Sequence, residues 1–417
     1  MPRNPRIRTA LLAAPLAALL ALVSTGTAPA AVRQPAYSAA NPNAVVTAGF
    51  DANNGMTYVF WRCPDTFSLC GAHTISARNQ HYVRAAIPSM GTLGSVPSVS
   101  IDLDRTGKGG APYIYVFWQG SYPKYDLMEA YYNGSWHRPI DLGMGPLYSR
   151  PAAPQGWFDS TDSLGAYLSK DGEGVAWMGK DQRLMYATSS NPTVKKSWKG
   201  PYYDGVTIGT PPTVADAGGG AEVAFWGGNN DHLYAASFPF DWPEGNTGST
   251  GKFGPCEFNS MGLLGSDPSA AWFQGTQIPG SSGHSVVSSA RRPAVTAAKL
   301  TSGKCPVMLT GNVSFGVTGI WQVCWSGVKP PGKNIYCLQW LQPPSAAQTI
   351  FGPTREGSFG VLGSAPSVVQ FPIDNFYSDD VFAFWQGSNS AQDLFRAVIF
   401  PPARHDTNLG FGPLSGG

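Results

Sequence analysis

Val116-Phe-Trp118-Gln-Gly120 is the phrase on which the reading of this chain turns, because it recurs. Variants stand at Tyr58-Val-Phe-Trp61, Val175-Ala-Trp177-Met-Gly179, Val223-Ala-Phe-Trp226-Gly-Gly228, Val323-Cys-Trp325-Ser-Gly327 and Phe382-Ala-Phe-Trp385-Gln-Gly387. Self-similarity at a spacing of tens of residues marks a repeat array. After the Trp, a short polar turn leads into a second segment: Asp126-Leu-Met-Glu129-Ala, Gln182-Arg-Leu184-Met-Tyr-Ala187, Asp231-His-Leu233-Tyr-Ala235 and Asp393-Leu-Phe-Arg396-Ala397. Apolar and polar residues alternate here, which is strand periodicity. A glycine turn feeding a Pro-Ser-Val strand supplies a third element, as in Met90-Gly-Thr-Leu-Gly-Ser95-Val-Pro97-Ser-Val99 and Met261-Gly-Leu-Leu-Gly-Ser266-Asp-Pro268-Ser-Ala. Three or four short strands per repeat is the content of one β-propeller blade.

The Trp-to-Trp spacings are 57, 59, 49, 99 and 60 residues. The double interval is read as an insertion, at about 276–304, into an array of six blades. The alternative makes Ala271-Trp272-Phe-Gln-Gly275 a degraded seventh repeat. Six is preferred because Trp272 directly follows its Pro268-Ser-Ala strand, with no room for the usual turn and strand. The expected fold is therefore all-β, a single propeller over 43–417. The chain ends on Gly410-Phe-Gly-Pro-Leu-Ser-Gly-Gly417, the turn that elsewhere precedes a Pro-Ser-Val strand, while Asn43-Ala-Val-Val-Thr-Ala-Gly49 has no such turn before it. The N-terminal strand is accordingly expected to complete the last blade and close the ring, leaving few free edges.

Composition agrees. Only 13% of residues are charged, against roughly 25% in ordinary domains, while 50 Gly and 36 Pro punctuate a chain holding 13 Trp. Helix bundles, coiled coils and disordered linkers are excluded, and 28 basic against 26 acidic residues leave little field to attract nucleic acid. Arg3, Arg6 and Arg8 precede the apolar run Ala10 to Val23 and the end Ala28-Pro-Ala30, the pattern of a secretory signal peptide over 1–30. A flexible segment, 31–42, follows. The run is too short and too split by Pro15 for a membrane span, and no later stretch replaces it. Secretion favours disulfides: Cys63 with Cys70, Cys324 with Cys337, and Cys256 with Cys305 as the remaining pair. No metal-ligand spacing occurs among Cys or the six His, and no cofactor motif is present.

Two readings of the recurrent indoles stand side by side. They pack between blades, or they lie at blade edges where an apolar face stacks on a sugar ring beside polar groups. On the second reading Trp118, Trp177, Trp226 and Trp385 are ligand-binding candidates, with Asp126, Glu129, Arg183, Asp231, Asp393 and Arg396 as polar companions. The carboxylates at turns have a plainer use, capping backbone amides. If they point outward, the protein displays several weak, non-identical sites that act by avidity.

The unit Tyr115 to Trp136, with Phe-Trp-Gln-Gly, Asp-Leu-Met-Glu-Ala-Tyr-Tyr-Asn-Gly-Ser-Trp and a Gly-Pro-Leu turn, resembles the repeats of secreted bacterial β-propeller lectins, a group similar to the fucose-binding and tectonin-like lectins. The resemblance implies sugar pockets between blades, built from an aromatic ring with Arg and Glu. It gives Glu129 a sugar-hydroxyl role, Trp136 a stacking role and Arg396 the arginine role. No single unit carries the full set. The expected function is that of a secreted, non-enzymatic lectin-like protein that binds glycans or cell-surface polysaccharide. A propeller glycoside hydrolase and a protein-binding scaffold are the alternatives. The near-match Ser169-Lys-Asp171-Gly-Glu173-Gly-Val-Ala-Trp177 to the sialidase box has Glu173 in the place of a glycine and is read as a turn.

Overall fold

The structure is a computed structural model that describes residues 46–51, 54–76, 81–155, 173–216, 222–238, 256–257, 264–275, 318–327, 334–342, 349–356, 362–373, 378–388, 391–400, 406–411 and 414. The segments 1–30 and 31–42, the insertion at 276–304 and Cys305 lie outside these residues, and with Cys305 the Cys256–Cys305 pairing.

The repeats fold as six sheets among the described residues. The first contains β1 (Val46–Asp51), β2 (Met56–Arg62), β3 (Leu69–Thr74) and β4 (Tyr82–Arg84). The second contains β5 (Ser98–Thr106), β6 (Pro112–Gln119), β7 (Leu127–Tyr132) and β8 (Ile140–Asp141). β9 (Pro154–Gln155) precedes the third sheet, β10 (Glu173–Met178), β11 (Arg183–Ser189) and β12 (Trp198–Thr207). The fourth contains β13 (Thr213–Asp216), β14 (Glu222–Gly227), β15 (Leu233–Phe238) and β16 (Cys256–Glu257), with β9 added in parallel to β13. The fifth contains β17 (Ser269–Gly275), β18 (Thr318–Ser326), β19 (Ile335–Gln342) and β20 (Thr349–Glu356). The sixth contains β21 (Ser367–Ile373), β22 (Ser378–Gln386), β23 (Leu394–Phe400) and β24 (Asp406–Gly410). Apart from the β9 pairing, neighbouring strands are antiparallel. Trp272 lies on β17, the first strand of the fifth sheet, opposite Trp321, and does not head a further sheet.

Successive strand residues face opposite sides, and here both sides are covered. Trp61, Trp118, Trp177, Trp226 and Trp385 are buried against the sheet that precedes their own. The neighbouring Phe60, Phe117 and Phe384 point the other way, into the interface with the following sheet. The Phe-Trp pair thus fills two interfaces at once, which is why the phrase recurs.

The Ser of each Ser-x-Pro turn fastens that turn to the Trp strand. Ser95, Ser149, Ser266 and Ser364 accept a hydrogen bond from the backbone N–H following the Trp, on Gln119, Met178, Ser326 and Gln386, at 2.9–3.0 Å. Each hydroxyl also donates to the carbonyl of the next residue. Thr210 does both in the fourth sheet. Close approach of backbones at these turns requires glycine: a Cβ on Gly94 would lie 2.3 Å from the Gly120 carbonyl oxygen.

The first strands of the sheets neighbour one another in the order β1, β5, β9, β13, β17, β21, and β21 also contacts β1. The next Ser along the strand stitches these neighbours: Ser98 accepts from Ala153 N–H, Ser269 from Val368 N–H and Ser367 from Ala48 N–H. One expectation is corrected. The N-terminal strand does not complete the last sheet, since β1 pairs with β2 through the hairpin in which Asn54 donates to Asp51, and the sixth sheet takes all four of its strands from its own repeat. Leu414 occupies the place of Leu93: its N–H bonds the Gln392 carbonyl as that of Leu93 bonds Phe67, and its side chain packs with Trp61 and Val46.

Cys63–Cys70 spans the β2–β3 turn, and Cys324–Cys337 joins residues directly opposite each other on β18 and β19.

Candidate functional site

Strand parity decides which polar groups can meet. On β7, Leu127, Glu129 and Tyr131 face the third sheet, whereas Met128, Ala130 and Tyr132 face the first. Trp136 packs on the second group, edge-on to Phe60 at 6.0 Å. Glu129 and Trp136 therefore stand on opposite faces of one sheet and do not share a pocket. The aromatic partner of Glu129 is Trp198, at the start of β12 on the following sheet, whose indole N–H donates to Glu129 Oε2 at 3.1 Å and to the Pro192 carbonyl at 3.1 Å. Trp198 also meets Phe117 edge to face at 5.6 Å. Glu129 is wholly buried, its other oxygen has no hydrogen-bond partner, and burial, only partly offset by the Trp198 bond, pushes its carboxyl up to about 8.

The same construction recurs between the sixth and first sheets. Glu129 lies opposite Phe117 in β6–β7, and Arg396 lies opposite Phe384 in β22–β23. Phe384 meets Tyr82, on β4 of the first sheet, at 6.1 Å and near right angles. The Arg396 guanidinium sits 5.6 Å from the Tyr82 ring centre and 5.0 Å from that of Phe382, in the range of cation–π contact. Each interface thus joins an ionisable side chain, the Phe before the repeat Trp, and an aromatic from the outer strand of the next sheet.

Such a chain resembles solved proteins in fold. AofleA of Arthrobotrys oligospora, as an arginine-to-alanine variant, superposes with a TM-score of 0.55 at 11% identity, over 89% of this chain and 88% of that one. The Aleuria aurantia lectin, described as a six-bladed β-propeller with a novel fucose recognition mode, superposes at 0.54 with 11% identity, over 89% and 97%. The fold is a β-propeller. A variant of the Aleuria lectin solved with Fucα1-6GlcNAc gives 0.52 at 10% identity, over 89% and 97%. No protein-family model and no curated relative matches the sequence.

Within this propeller the remaining candidates separate by role. Trp118, Trp177, Trp226 and Trp385 are each 1% exposed, so no indole face is open to a sugar, and packing is what they do here. Asp126 uses its carboxylate to accept from Gly145 N–H, and Asp393 accepts from the Asn408 amide, so both serve local backbone or turn structure. Asp231 is an exposed turn residue at φ 59°, and its carbonyl accepts from Leu264 N–H. Arg183 is exposed and covers the Tyr203 ring at 4.9 Å. Glu173 is buried where Ser100 donates to its Oε2 at 3.0 Å, a contact between the second and third sheets. Sequence reading missed Trp198 and Tyr82. The phrases Ser135-Trp136-His137 and Ser197-Trp198-Lys199 carried a signal for the first, an outer-strand aromatic repeated after the Leu-Ala strand. Among the described residues, no group of three or more His, Cys, Asp or Glu gathers as a metal site, and no helix is long and apolar enough to cross a membrane.

Proposed function

We propose that the protein is a secreted six-bladed propeller that binds glycans at the interfaces between blades. Closure is supported by the stitch from Ser367 to Ala48, which repeats between the last and first sheets the bond that Ser98 and Ser269 make elsewhere. Export is supported by the signal-like segment and by two disulfides. The observation that carries the binding reading is the recurrence of one arrangement at Glu129 and at Arg396: an ionisable side chain at the same register position, flanked by aromatics from two sheets. Apolar ring faces with a few directed polar groups are the makings of a sugar site. The solved proteins of similar fold include lectins titled for fucose recognition, which supports a sugar ligand. Fucose itself is not carried over, because neither interface holds both Arg and Glu at this position.

The several weak sites expected from the sequence narrow to the interface at Arg396, which is partly exposed, because Glu129 at the equivalent position is wholly buried. Screening the full chain on a glycan array tests the reading: binding to a defined group of glycans supports it, and binding to none, together with hydrolysis of a polysaccharide, contradicts it in favour of a glycosidase.

A further inference from the structure

We infer that the outer strand of the third sheet and the turn leading into it form a second binding surface, and that this surface takes a linear polysaccharide bearing repeated carboxylates. It lies apart from the position at Arg396 and does not depend on binding there.

Between Arg183 and Tyr203 the chain carries four basic residues, Arg183, Lys195, Lys196 and Lys199, and no acidic one, although its basic and acidic totals of 28 and 26 nearly cancel. All four are exposed. None of them is in an ion pair among the described residues. Of the acids nearby, Asp181 is offset by its sequence neighbour Lys180, Asp141 on β8 is held by Lys124 at 3.7 Å, and both carboxylate oxygens of Asp204 on β12 are shut off from solvent. Lys195 reaches toward the loop after β8, its ammonium 4.0 Å from where a Cβ on Gly143 would stand. Rings accompany the charges. Tyr202 and Tyr203 are 43% and 46% exposed on opposite faces of β12, where Tyr202 meets Tyr186 and Tyr203 lies beneath Arg183 at 4.9 Å.

Lysine and proline on an outer strand have a plainer use, which is to keep other strands from pairing with it. That use accounts for Lys199 and Pro201 on β12, but Lys195 and Lys196 precede the strand and Arg183 stands on β11, which is flanked by β10 and β12. The positive charge exceeds what edge protection needs.

The chemistry selects the ligand. A single exposed ion pair is worth little, so a monosaccharide gains almost nothing here, whereas a polymer that meets several lysines at once adds their contributions. Exposed tyrosine rings offer apolar faces on which sugar rings stack. A polysaccharide uses both kinds of group. Near-zero net charge gives the molecule no long-range field of the kind that gathers nucleic acid.

The test is biolayer interferometry of the full chain on polygalacturonate, on the same polymer with its carboxylates methyl-esterified, and on duplex DNA, with free galacturonate as competitor. The expected result is binding to the acid polymer that salt weakens, binding about tenfold or more weaker to the ester and to DNA, and no competition by the monomer. The joint variant Lys195→Glu, Lys196→Glu and Lys199→Glu should lose about tenfold or more of that binding and keep the parent's pattern on an array of neutral glycans. If it does not fold, Lys195→Gln, Lys196→Gln and Lys199→Gln together take its place. No binding to polygalacturonate, equal binding to its ester, equal or tighter binding to DNA, effective competition by the monomer, or unchanged binding by the lysine variants overturns this inference and leaves glycan binding between sheets untouched. A parent that binds polygalacturonate through these lysines but no neutral glycan upholds this surface while the reading at Arg396 fails.

Discussion

Glu129 and Trp198 meet across the second and third sheets, the indole N–H donating to a carboxylate oxygen that has no access to water. Burial raises the Glu129 carboxyl to about 8, so the folded chain holds a proton there that the unfolded chain releases near its ordinary value of 4.5. Stability from this group is complete below 4.5 and is lost as pH rises toward 8. Replacing Glu129 by Gln removes that titration while keeping a carbonyl oxygen for Trp198. The expected outcome is a flatter dependence of Tm on pH between 5 and 8 than in the parent, with the difference on the order of a few kcal/mol at the alkaline end. Parallel curves for the two proteins would show that Glu129 titrates normally.

Arg150 and Asp267 form an ion pair at 3.5 Å between the Ser-x-Pro turns of the third and fifth sheets, which are not sequence neighbours. Asp267 is buried, and burial raises its carboxyl to about 6 against the opposing effect of Arg150. Arg150→Met leaves an uncompensated carboxylate, with a cost of about 3 kcal/mol at pH 7.5. Because a neutral Asp267 needs no counter-charge, the cost shrinks as pH falls below 6. Thermal unfolding of parent and variant at pH 5 and 7.5 checks this, and an equal loss at both values would rule out the pair as its source.

The serine fastening predicts a backbone cost. Ser149→Ala removes the acceptor of the Met178 N–H and leaves that buried group unpaired, which should lower stability by about 1–3 kcal/mol in urea unfolding. A loss no greater than at an exposed serine would show that water replaces the hydroxyl.

Two glycines separate close approach from backbone strain. Gly94→Ala forces a Cβ onto the Gly120 carbonyl, whereas Gly91, at φ 74°, has nothing within 4 Å of the added atom. Gly91→Ala should cost about 1–2 kcal/mol through its conformation, and Gly94→Ala more, since backbone must move. The reverse order, read from Tm, would contradict the packing of the turns.

Much of the fold is legible in the recurrence of Trp118 and its counterparts, because a repeated local phrase requires a repeated local structure. Their burial is not legible, since a strand covered on both faces and a strand with an exposed aromatic edge show the same alternation. Parity could have separated Glu129 from Trp136, as the even positions of β7 carry the apolar residues that pack with Trp136. The pairing of Glu129 with Trp198 could not be read in this way, because the two stand 69 positions apart and the contact depends on how adjacent sheets stack. The place of β1 was misread for a similar reason. The terminal Gly-Phe-Gly-Pro-Leu turn was correctly matched to the turns before Pro-Ser-Val, but whether β1 joins the last sheet or heads the first depends on the Asp51–Asn54 hairpin.

The repeat indoles are core, and the proposed recognition lies at the register position opposite the residue before the repeat Trp. Side-chain NMR of the full chain, labelled at Arg and Trp and titrated with its best-bound glycan, tests this most directly. The expected result is a shift of the Arg396 guanidinium resonance at ligand levels that leave the indole N–H signals of Trp118, Trp177, Trp226 and Trp385 in place. Shifts of several of those indoles with Arg396 unmoved would contradict it.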